Sequence, residues 1–411
     1  MRSLANRLNL LKARSDDMPE MDEPQQARVF PMRPKIDIAE ASPSDDAKCS
    51  DAAFRRGQFL ARQEAWEELA EELQQTDATR QLTPGGHSVA RIMGEGARSD
   101  IIMAARSAAR RGEPQTARDI MSALDEQLDE TPECPAMAYV VAMANLDLAL
   151  SWRGASRPRD LSVQRRSAYD HHMSRARALA DQFDAFETNS ALWARVRCEV
   201  LEADAHPMQR IFDDYEDLLD LDPECSDHLR AFGRDLLPRR FGTYEDLDNE
   251  ARRTALRLSD VWGIGAYTWI YIGALEFDPG AFRRLDAELF VEGMCDILSR
   301  DPNQHVVNQL AAFTGLTLSG PSYPGTGRAR LAECFSWLLQ DHLKELHPLV
   351  WSAAAAPGQA DLPEPDEDID LVKQGRARAL STIAEHFSAV LDGGRRLVFT
   401  GDGLEMPRMT S

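Results

Sequence analysis

The chain has 411 residues, and its 68 acidic against 47 basic side chains give a formal net charge of -21. A surface this acidic repels phosphate backbones, which argues against general nucleic-acid binding. The six cysteines lie far apart without a CxxC pair, and in a chain of this size that spacing is typical of reduced thiols. No apolar run approaches the roughly 18–20 residues that cross a bilayer, so we expect a cytoplasmic protein without a membrane span.

The first 50 residues predict a disordered leader. Between Ser15 and Ser50 the sequence is polar and interrupted by five prolines. Too few apolar side chains are present there to offset the entropy lost on ordering. We expect order to begin near Asp51.

From that point apolar residues recur at helical spacing almost to the end of the chain. Breaks such as Thr83-Pro84-Gly85-Gly86 separate the helical patterns. We divide the chain into a leader (1–50), an N-terminal helical region (51–205), a second helical region (206–393) and a terminal hairpin with a tail (394–411). The expected helices lie at 54–73, 88–111, 114–129, 136–152, 162–182, 190–203, 208–219, 226–237, 285–300, 304–318, 328–346 and 371–391, with a further pair within 236–276.

A stretch rich in aromatic residues occupies positions 236–276. Its second helix places Trp262 and Trp269 on one face, among three glycines. Bulky rings beside glycines are typical of a helix buried on several sides, so we expect Trp269 to lie in the core. If the protein binds a peptide, its groove should use hydroxyls and a guanidinium of this stretch, namely those of Arg239, Tyr244, Tyr267 and Tyr271.

Alternating apolar residues are rare in this chain, with one exception near its end. Leu397, Val398 and Phe399 precede a Gly-Asp-Gly turn at 401–403. This pattern predicts a lone terminal β-hairpin.

Several motifs carry a resemblance to known proteins. The segment IFDDYEDLLDLDPECSDHLRAFGRDLL (211–237) resembles a tetratricopeptide unit, in which a Leu-Asp-Pro break joins two helices. The sequences LLPRRFGTY, WGIGAYTW, DPNQHVVNQLAAF and DHLKELHPLVW resemble motifs of an uncharacterised family of bacterial helical proteins built on that frame. The resemblance covers most of residues 51–399. It implies an all-α, tetratricopeptide-like stack of antiparallel helix pairs (α-solenoid-like) and no catalytic residue.

Three pairs of side chains come closest to a metal-binding pattern. A zinc site on a helix needs two histidines four residues apart and a nearby acid, whereas these pairs are spaced by five, one and three residues. The third spacing suits two ligands, but the other ligands are not evident. We therefore expect no metal and no cofactor, and we expect a chelator to leave thermal stability unchanged. The pairs are His342 with His347, His171 with His172, and Cys225 with His228.

No nucleophile elbow or phosphate-binding loop is present in the sequence. The sequence therefore favours a non-enzymatic cytoplasmic adaptor or scaffold that binds a protein or peptide through a helical-repeat groove. The alternative is an enzyme, a hydrolase or a metal-assisted one, whose site is assembled from distant histidines and carboxylates. Converging His and carboxylate side chains would favour the enzyme, and an open surface lined by aromatics and Arg would favour the adaptor.

Overall fold

The computed structural model describes residues 35–156, 158–355 and 370–408, most of which are helical. This part of the chain forms eighteen α-helices and five short strands, which confirms the all-α class. None of the described helices is long and apolar enough to cross a membrane. The described residues from Lys35 onward form one compact unit, which contains the positions of the boundaries expected at 205/206 and 393/394.

Five of the first seven helices lie close to the expected segments, whereas the single helix expected over 54–73 is instead two helices, Asp45–Arg62 and Trp66–Ala78. Each of the seven turns an apolar face toward the core, and two of them start at a proline, whose missing N–H would be unpaired in a first turn anyway. The seven are α1 (Asp45–Arg62), α2 (Trp66–Ala78), α3 (Val89–Arg110), α4 (Pro114–Glu130), α5 (Pro135–Arg153), α6 (Val163–Ala180) and α7 (Ala191–Glu199).

The next six helices include the aromatic stretch. Its second segment is α12, in which every residue is buried, as its lack of a polar face predicts. The six are α8 (Pro207–Leu221), α9 (Ser226–Asp235), α10 (Tyr244–Arg257), α11 (Ser259–Trp262), α12 (Gly265–Leu275) and α13 (Ala287–Arg300).

Two of the remaining helices are shorter than expected, because each ends in a wider π turn, at Phe313–Thr317 and at Leu338–His342. The second π turn ends the helix expected over 328–346 and leaves Glu345–Leu346 as a strand. The helices are α14 (Gln304–Ala312), α15 (Gly327–Trp337), α16 (Pro348–Ala353), α17 (Leu371–His386) and α18 (Ser388–Asp392).

Order begins earlier than the sequence predicted. Two strands, β1 (Ile36–Asp37) and β2 (Ala39–Glu40), precede α1, whose N-cap Ser44 accepts a hydrogen bond from the Ala47 N–H at 3.2 Å. The expected flexible leader is therefore wrong for residues 36–50, and positions 15–34 lie outside the described residues. A short strand needs only the edge of a distant segment as its partner, and local composition cannot reveal that partner.

The terminal hairpin is confirmed, but it is not alone. Its strands β4 (Leu397–Thr400) and β5 (Gly403–Glu405) pair antiparallel, and β1 adds to β4 in parallel. A second parallel pair joins β2 to β3 (Glu345–Leu346). Both parallel pairs fasten the start of the described chain to its C-terminal part.

Glycines set the closest helix crossings. A Cβ built on Gly57 of α1 would lie 1.9 Å from the Met93 carbonyl oxygen of α3, and one on Gly96 of α3 would lie 1.9 Å from the Phe54 oxygen of α1. Helices α9 and α12 repeat this reciprocal arrangement with Gly233 and Gly273. Backbones can approach this closely only where both contact positions lack a side chain.

Candidate metal centre

Three side chains from distant parts of the chain converge in the interior. Asp46, His87 and His305 each offer one ligand atom, and the three atoms lie within 4.8 Å of one another. Asp46 is 7% exposed and His305 8% exposed, while His87 is half-buried. A carboxylate and two imidazoles are groups that bind transition metals.

The starts of three helices bring these residues together. Asp46 lies in the first turn of α1, and His87 directly precedes Ser88, the N-cap of α3. His305 lies in the first turn of α14, behind the N-cap Asn303. The Asn303 side-chain amide donates to the Pro84 carbonyl at 2.9 Å, which ties α14 to the loop that carries His87.

That loop is a tight turn over residues 83–87. Thr83 N–H donates to the His87 carbonyl at 2.8 Å, Gly86 N–H donates to the Thr83 carbonyl at 2.9 Å, and Gly86 has a φ of +81°. Such a φ suits glycine and strains other residues. The Thr-Pro-Gly-Gly sequence therefore serves as a helix breaker, as expected, and it also presents His87 to the interior.

The turn orients the Asp46 carboxylate. One carboxylate oxygen, Oδ1, accepts from the Thr83 hydroxyl at 2.6 Å and from the Gly85 N–H at 2.7 Å. The other, Oδ2, lies 3.4 Å from Nδ1 of His305. Outer hydrogen bonds that fix one oxygen and leave the second facing inward are typical of a ligating carboxylate.

An acid orients His87 in a similar way. Its Nδ1 lies 2.9 Å from Oδ2 of Asp227, in the first turn of α9, and Arg91 approaches the same oxygen at 3.5 Å. When the Nδ1–H of His87 donates to Asp227, the Nε2 lone pair is free to bind a metal, as in the carboxylate–histidine pairs around zinc.

Two buried atoms, one on His305 and one on the neighbouring Gln309, also suit a histidine that binds a metal. The His305 Nδ1 is buried without a hydrogen-bond partner, and so is Oε1 of Gln309, whose Nε2 lies 3.1 Å from Nε2 of the ring. The two ends of an amide are nearly equal in shape, so the side chain can be turned over. Gln309 Oε1 then accepts the Nε2 proton, and the Nδ1 lone pair faces Asp46.

Electrostatics favours a neutral His305. Burial lowers the pKa of His305 to about 4. The nearby His87 and His347 lower this pKa further, and the Asp46 carboxylate opposes them by raising it. Burial also lowers the pKa of His87, but Asp227 outweighs it and leaves the pKa of His87 above its usual value. A metal bound at His87 would displace the proton from the nitrogen that it binds. With His305 neutral, the buried Asp46 faces no full positive charge from that ring.

The Cys225–His228 pair also gains a third group in the structure. His228 Nε2 lies 3.0 Å from Oδ2 of Asp222, which makes a buried Asp-Cys-His cluster. The second nitrogen, Nδ1, faces the Arg195 guanidinium at 3.4 Å. A catalytic histidine would need this nitrogen to accept a proton from a nucleophile, and here the guanidinium occupies it. The positive charge of Arg195 also disfavours a metal cation at this cluster. Cys225 donates through its Sγ to the Gly86 carbonyl at 3.6 Å, so this cluster braces the turn of the metal centre.

Of the other two pairs, only His347 lies beside the centre, and His171 and His172 lie at a separate pocket. His342 packs edge-on against Trp337, with ring centroids 4.8 Å apart, and His347 lies elsewhere, next to His305. His172 is buried with its Nδ1 2.9 Å from the Asn145 side-chain oxygen. It borders an open pocket of about 250 Å³ that His171 also lines.

The residues expected in a peptide groove do not share one open surface. Tyr267 and Tyr271 are fully buried in α12, so an accessible groove lined by both is not formed. Their rings fill the core because α12 is enclosed by other helices. Tyr244 donates its hydroxyl to Asp278 at 2.8 Å, and the Arg239 side chain is 56% exposed. Trp269 is 1% exposed, which confirms its expected place in the core.

Sequence reasoning missed all three residues of the centre. Asp46 falls in the segment expected to be disordered, and His87 and His305 lie 218 positions apart, counting from 87 to 305. A local signal does exist, since each residue lies within two positions of a helix N-cap. Position near an N-cap, however, is common to the starts of many helices and does not show which helix starts contact one another.

Comparison with protein-family models, with curated proteins and with solved structures finds no match for this chain. The family resemblance drawn from the sequence stays a prediction. Conclusions about function therefore come from the geometry of the described residues.

Proposed function

We propose that the protein binds a divalent transition-metal ion, with zinc the best fit, between Asp46, His87 and His305. The observation that carries this proposal is the buried Nδ1 of His305, which has no hydrogen-bond partner among the described residues and lies 3.4 Å from the inner oxygen of Asp46. Two ligand atoms on one tetrahedral zinc lie about 3.3–3.5 Å apart, given the lengths of Zn–N and Zn–O bonds. The pair already has the separation that a shared zinc requires.

The donor set supports a transition metal over magnesium or calcium. Those two cations prefer shells made of oxygen, whereas imidazole suits zinc, iron, cobalt, nickel and copper. Asp46 and Asp227 supply negative charge at the site, and the chain as a whole carries a formal charge of -21, which attracts cations.

The metal would fasten together the starts of α1, α3 and α14. We propose on this basis a helical scaffold whose fold depends on a bound metal, with a tetratricopeptide-like stacking of its helices and a cytoplasmic location. A protein or peptide partner stays part of the proposal, although Tyr267 and Tyr271 are too buried to receive it. Since three protein ligands leave one position of a tetrahedron open, the geometry also favours the alternative of a metal-assisted hydrolase.

Metal content tests the proposal directly. The full chain, freed of any histidine tag, should retain one zinc per molecule after dialysis against metal-free buffer. His305→Ala should weaken zinc binding by more than about 100-fold, because loss of a ligand costs at least as much as loss of an outer-shell partner. The matched control is His206→Ala, which removes an exposed histidine outside the centre.

Two results would overturn the assignment. A wild-type protein that binds no zinc, cobalt or nickel in titration would refute metal binding. Zinc that survives His305→Ala and is lost in Cys225→Ser would move the metal to the neighbouring Asp-Cys-His cluster.

A further inference from the structure

A third imidazole lies beside the proposed centre. The ring centroid of His347 is 6.0 Å from that of His305, and the ring centroid of His87 is 5.6 Å from that of His305. Two imidazoles on one tetrahedral zinc have centroids about 5 Å apart, given the Zn–N length. His347 lies outside the group of ligand atoms within 4.8 Å of one another, so its ring must move inward for all three rings to share one ion.

The hydrogen-bond contacts of His347 suit a metal ligand. Its Nε2 lies 3.0 Å from Oε1 of Glu345, and its Nδ1 is buried without a partner. The residue is 6% exposed. With the Nε2 proton donated to the carboxylate, the Nδ1 lone pair has no hydrogen-bond partner among the described residues, and a buried acceptor without a partner is costly.

Helix α14 holds the backbone of His347 in place. The side-chain oxygen of Asn308, one turn after His305, accepts from the His347 N–H at 3.0 Å and from the Trp351 indole N–H at 2.9 Å. The Asn308 amide also donates to the Glu345 carbonyl at 2.9 Å. His305 and His347 are thus fixed to one another by a fully buried side chain.

The strands bring Asp46 to the same place. Strand β2 pairs with β3 in the register Glu40 to Leu346, and the pairing continues as the Ala41 N–H donates to the Leu346 carbonyl at 2.9 Å. The chain reaches Asp46 five residues after that contact, while His347 directly follows Leu346. The short parallel pair therefore brings together the segments that carry the carboxylate and the third imidazole.

We propose that His347 is the fourth protein ligand of the metal, which makes the centre a closed three-histidine, one-aspartate site. This inference rests on the proposed metal binding. Each ligand then has an outer-shell partner: Asp227 for His87, Gln309 for His305, Glu345 for His347, and Thr83 with Gly85 for Asp46. A site with four protein ligands has no position for water or substrate, so the metal is structural and the hydrolase alternative falls.

The closed site differs from an open one in a measurable way. Cobalt(II) in a four-coordinate protein site gives intense visible absorption, which weakens when added water raises the coordination number to five or six. The cobalt-loaded wild type should show the intense bands, and His347→Ala should show weaker, shifted bands with zinc affinity reduced by more than about 100-fold, as for the loss of His305.

His347→Cys provides a positive signature. A thiolate at this position would bind cobalt directly and add a near-ultraviolet sulfur-to-cobalt charge-transfer band, which a merely structural residue cannot produce. This variant also guards against a folding defect in His347→Ala, because metal binding by the thiolate requires the folded site. The neighbouring His342→Ala is the control, and its cobalt spectrum should equal that of wild type.

The outcomes separate the two proposals. A wild type that takes up neither zinc nor cobalt refutes the metal centre itself. A wild type that binds cobalt, with His347→Ala unchanged in spectrum and affinity and His347→Cys lacking the charge-transfer band, leaves the metal centre standing and overturns the role of His347.

Discussion

Helix α12 and the proposed metal centre are both buried, but they satisfy their polar atoms differently. The hydroxyls of Tyr267 and Tyr271 lie 3.3 and 3.0 Å from the same oxygen of Asp248, and the Tyr267 oxygen also accepts from the Asp286 N–H at 2.9 Å. In the proposed metal centre, Nδ1 of His305 and Nδ1 of His347 have no hydrogen-bond partner among the residues that the structure describes.

The difference separates packing from ligation. Buried polar atoms are almost always hydrogen-bonded, so exceptions need a cause. Trp269 Nε1 in α12 is also unpartnered, but an indole N–H is a donor and cannot bind a cation. An imidazole nitrogen can present a lone pair, and here two such nitrogens occur on neighbouring rings.

The largest expected effect tests whether α12 is core. Trp269→Ala removes a ring that is 1% exposed and should lower the free energy of unfolding by about 3–5 kcal/mol. Arg239→Ala, at a side chain that is 56% exposed, should cost less than about 1 kcal/mol. Urea unfolding of both variants measures this, and the reverse order would mean that the assignment of core and surface is inverted.

The next effect concerns the crossing of α9 and α12. A Cβ on Gly273 would lie 2.0 Å from the Arg230 carbonyl oxygen, so Gly273→Ala must push the two backbones apart. We expect a loss of about 3 kcal/mol, at the upper end for overpacking. The control is Gly401→Ala in the terminal turn, where a Cβ meets nothing within 4 Å. Equal unfolding midpoints for the two variants would contradict the close crossing.

His172 is a buried histidine whose ring has a hydrogen-bond partner, unlike Nδ1 of His305, and its effect on stability should depend on pH. Burial, with help from His171 and Arg118, lowers the pKa of His172 to about 4, so the unfolded chain binds the proton more readily. The stability from the neutral ring is complete above about pH 6.5 and declines as the pH falls toward 4. We expect a loss of about 2 kcal/mol over that interval that is absent in His172→Gln. Parallel pH profiles of the two metal-free proteins would exclude it.

The smallest expected effect concerns an outer-shell contact. Gln309→Met keeps the volume near His305 and removes the amide that accepts its Nε2 proton in the metal-bound form. Zinc affinity should fall about 10- to 100-fold, while the stability of the metal-free protein should change by less than about 1 kcal/mol. Competition with a chromophoric chelator measures the affinity. An unchanged affinity would show that Gln309 does not orient the ring.

Local patterns predicted the helices well because a helix is a local structure. The buried face of α12 follows from its rings and glycines, and the hairpin from its Gly-Asp-Gly turn. The centre instead depends on pairings between segments about 300 residues apart, such as Glu40 with Leu346. The sequence around Asp46 contains no pattern that indicates contact with His305 or His347. A site assembled by tertiary contacts therefore could not be predicted from local patterns. The tyrosines were misplaced for a related reason, since their polar tips could find partners either in a groove or inside the core.

Thermal unfolding with and without zinc tests the central claim most directly. We expect zinc to stabilise the wild-type protein by about 4 kcal/mol when its free concentration is a thousandfold above the dissociation constant. A chelator should remove that gain, and Asp46→Ala should abolish it, whereas Asp45→Ala, at the exposed neighbouring carboxylate, should keep it. A wild-type melting temperature that is the same in zinc and in chelator would contradict a metal centre in this fold.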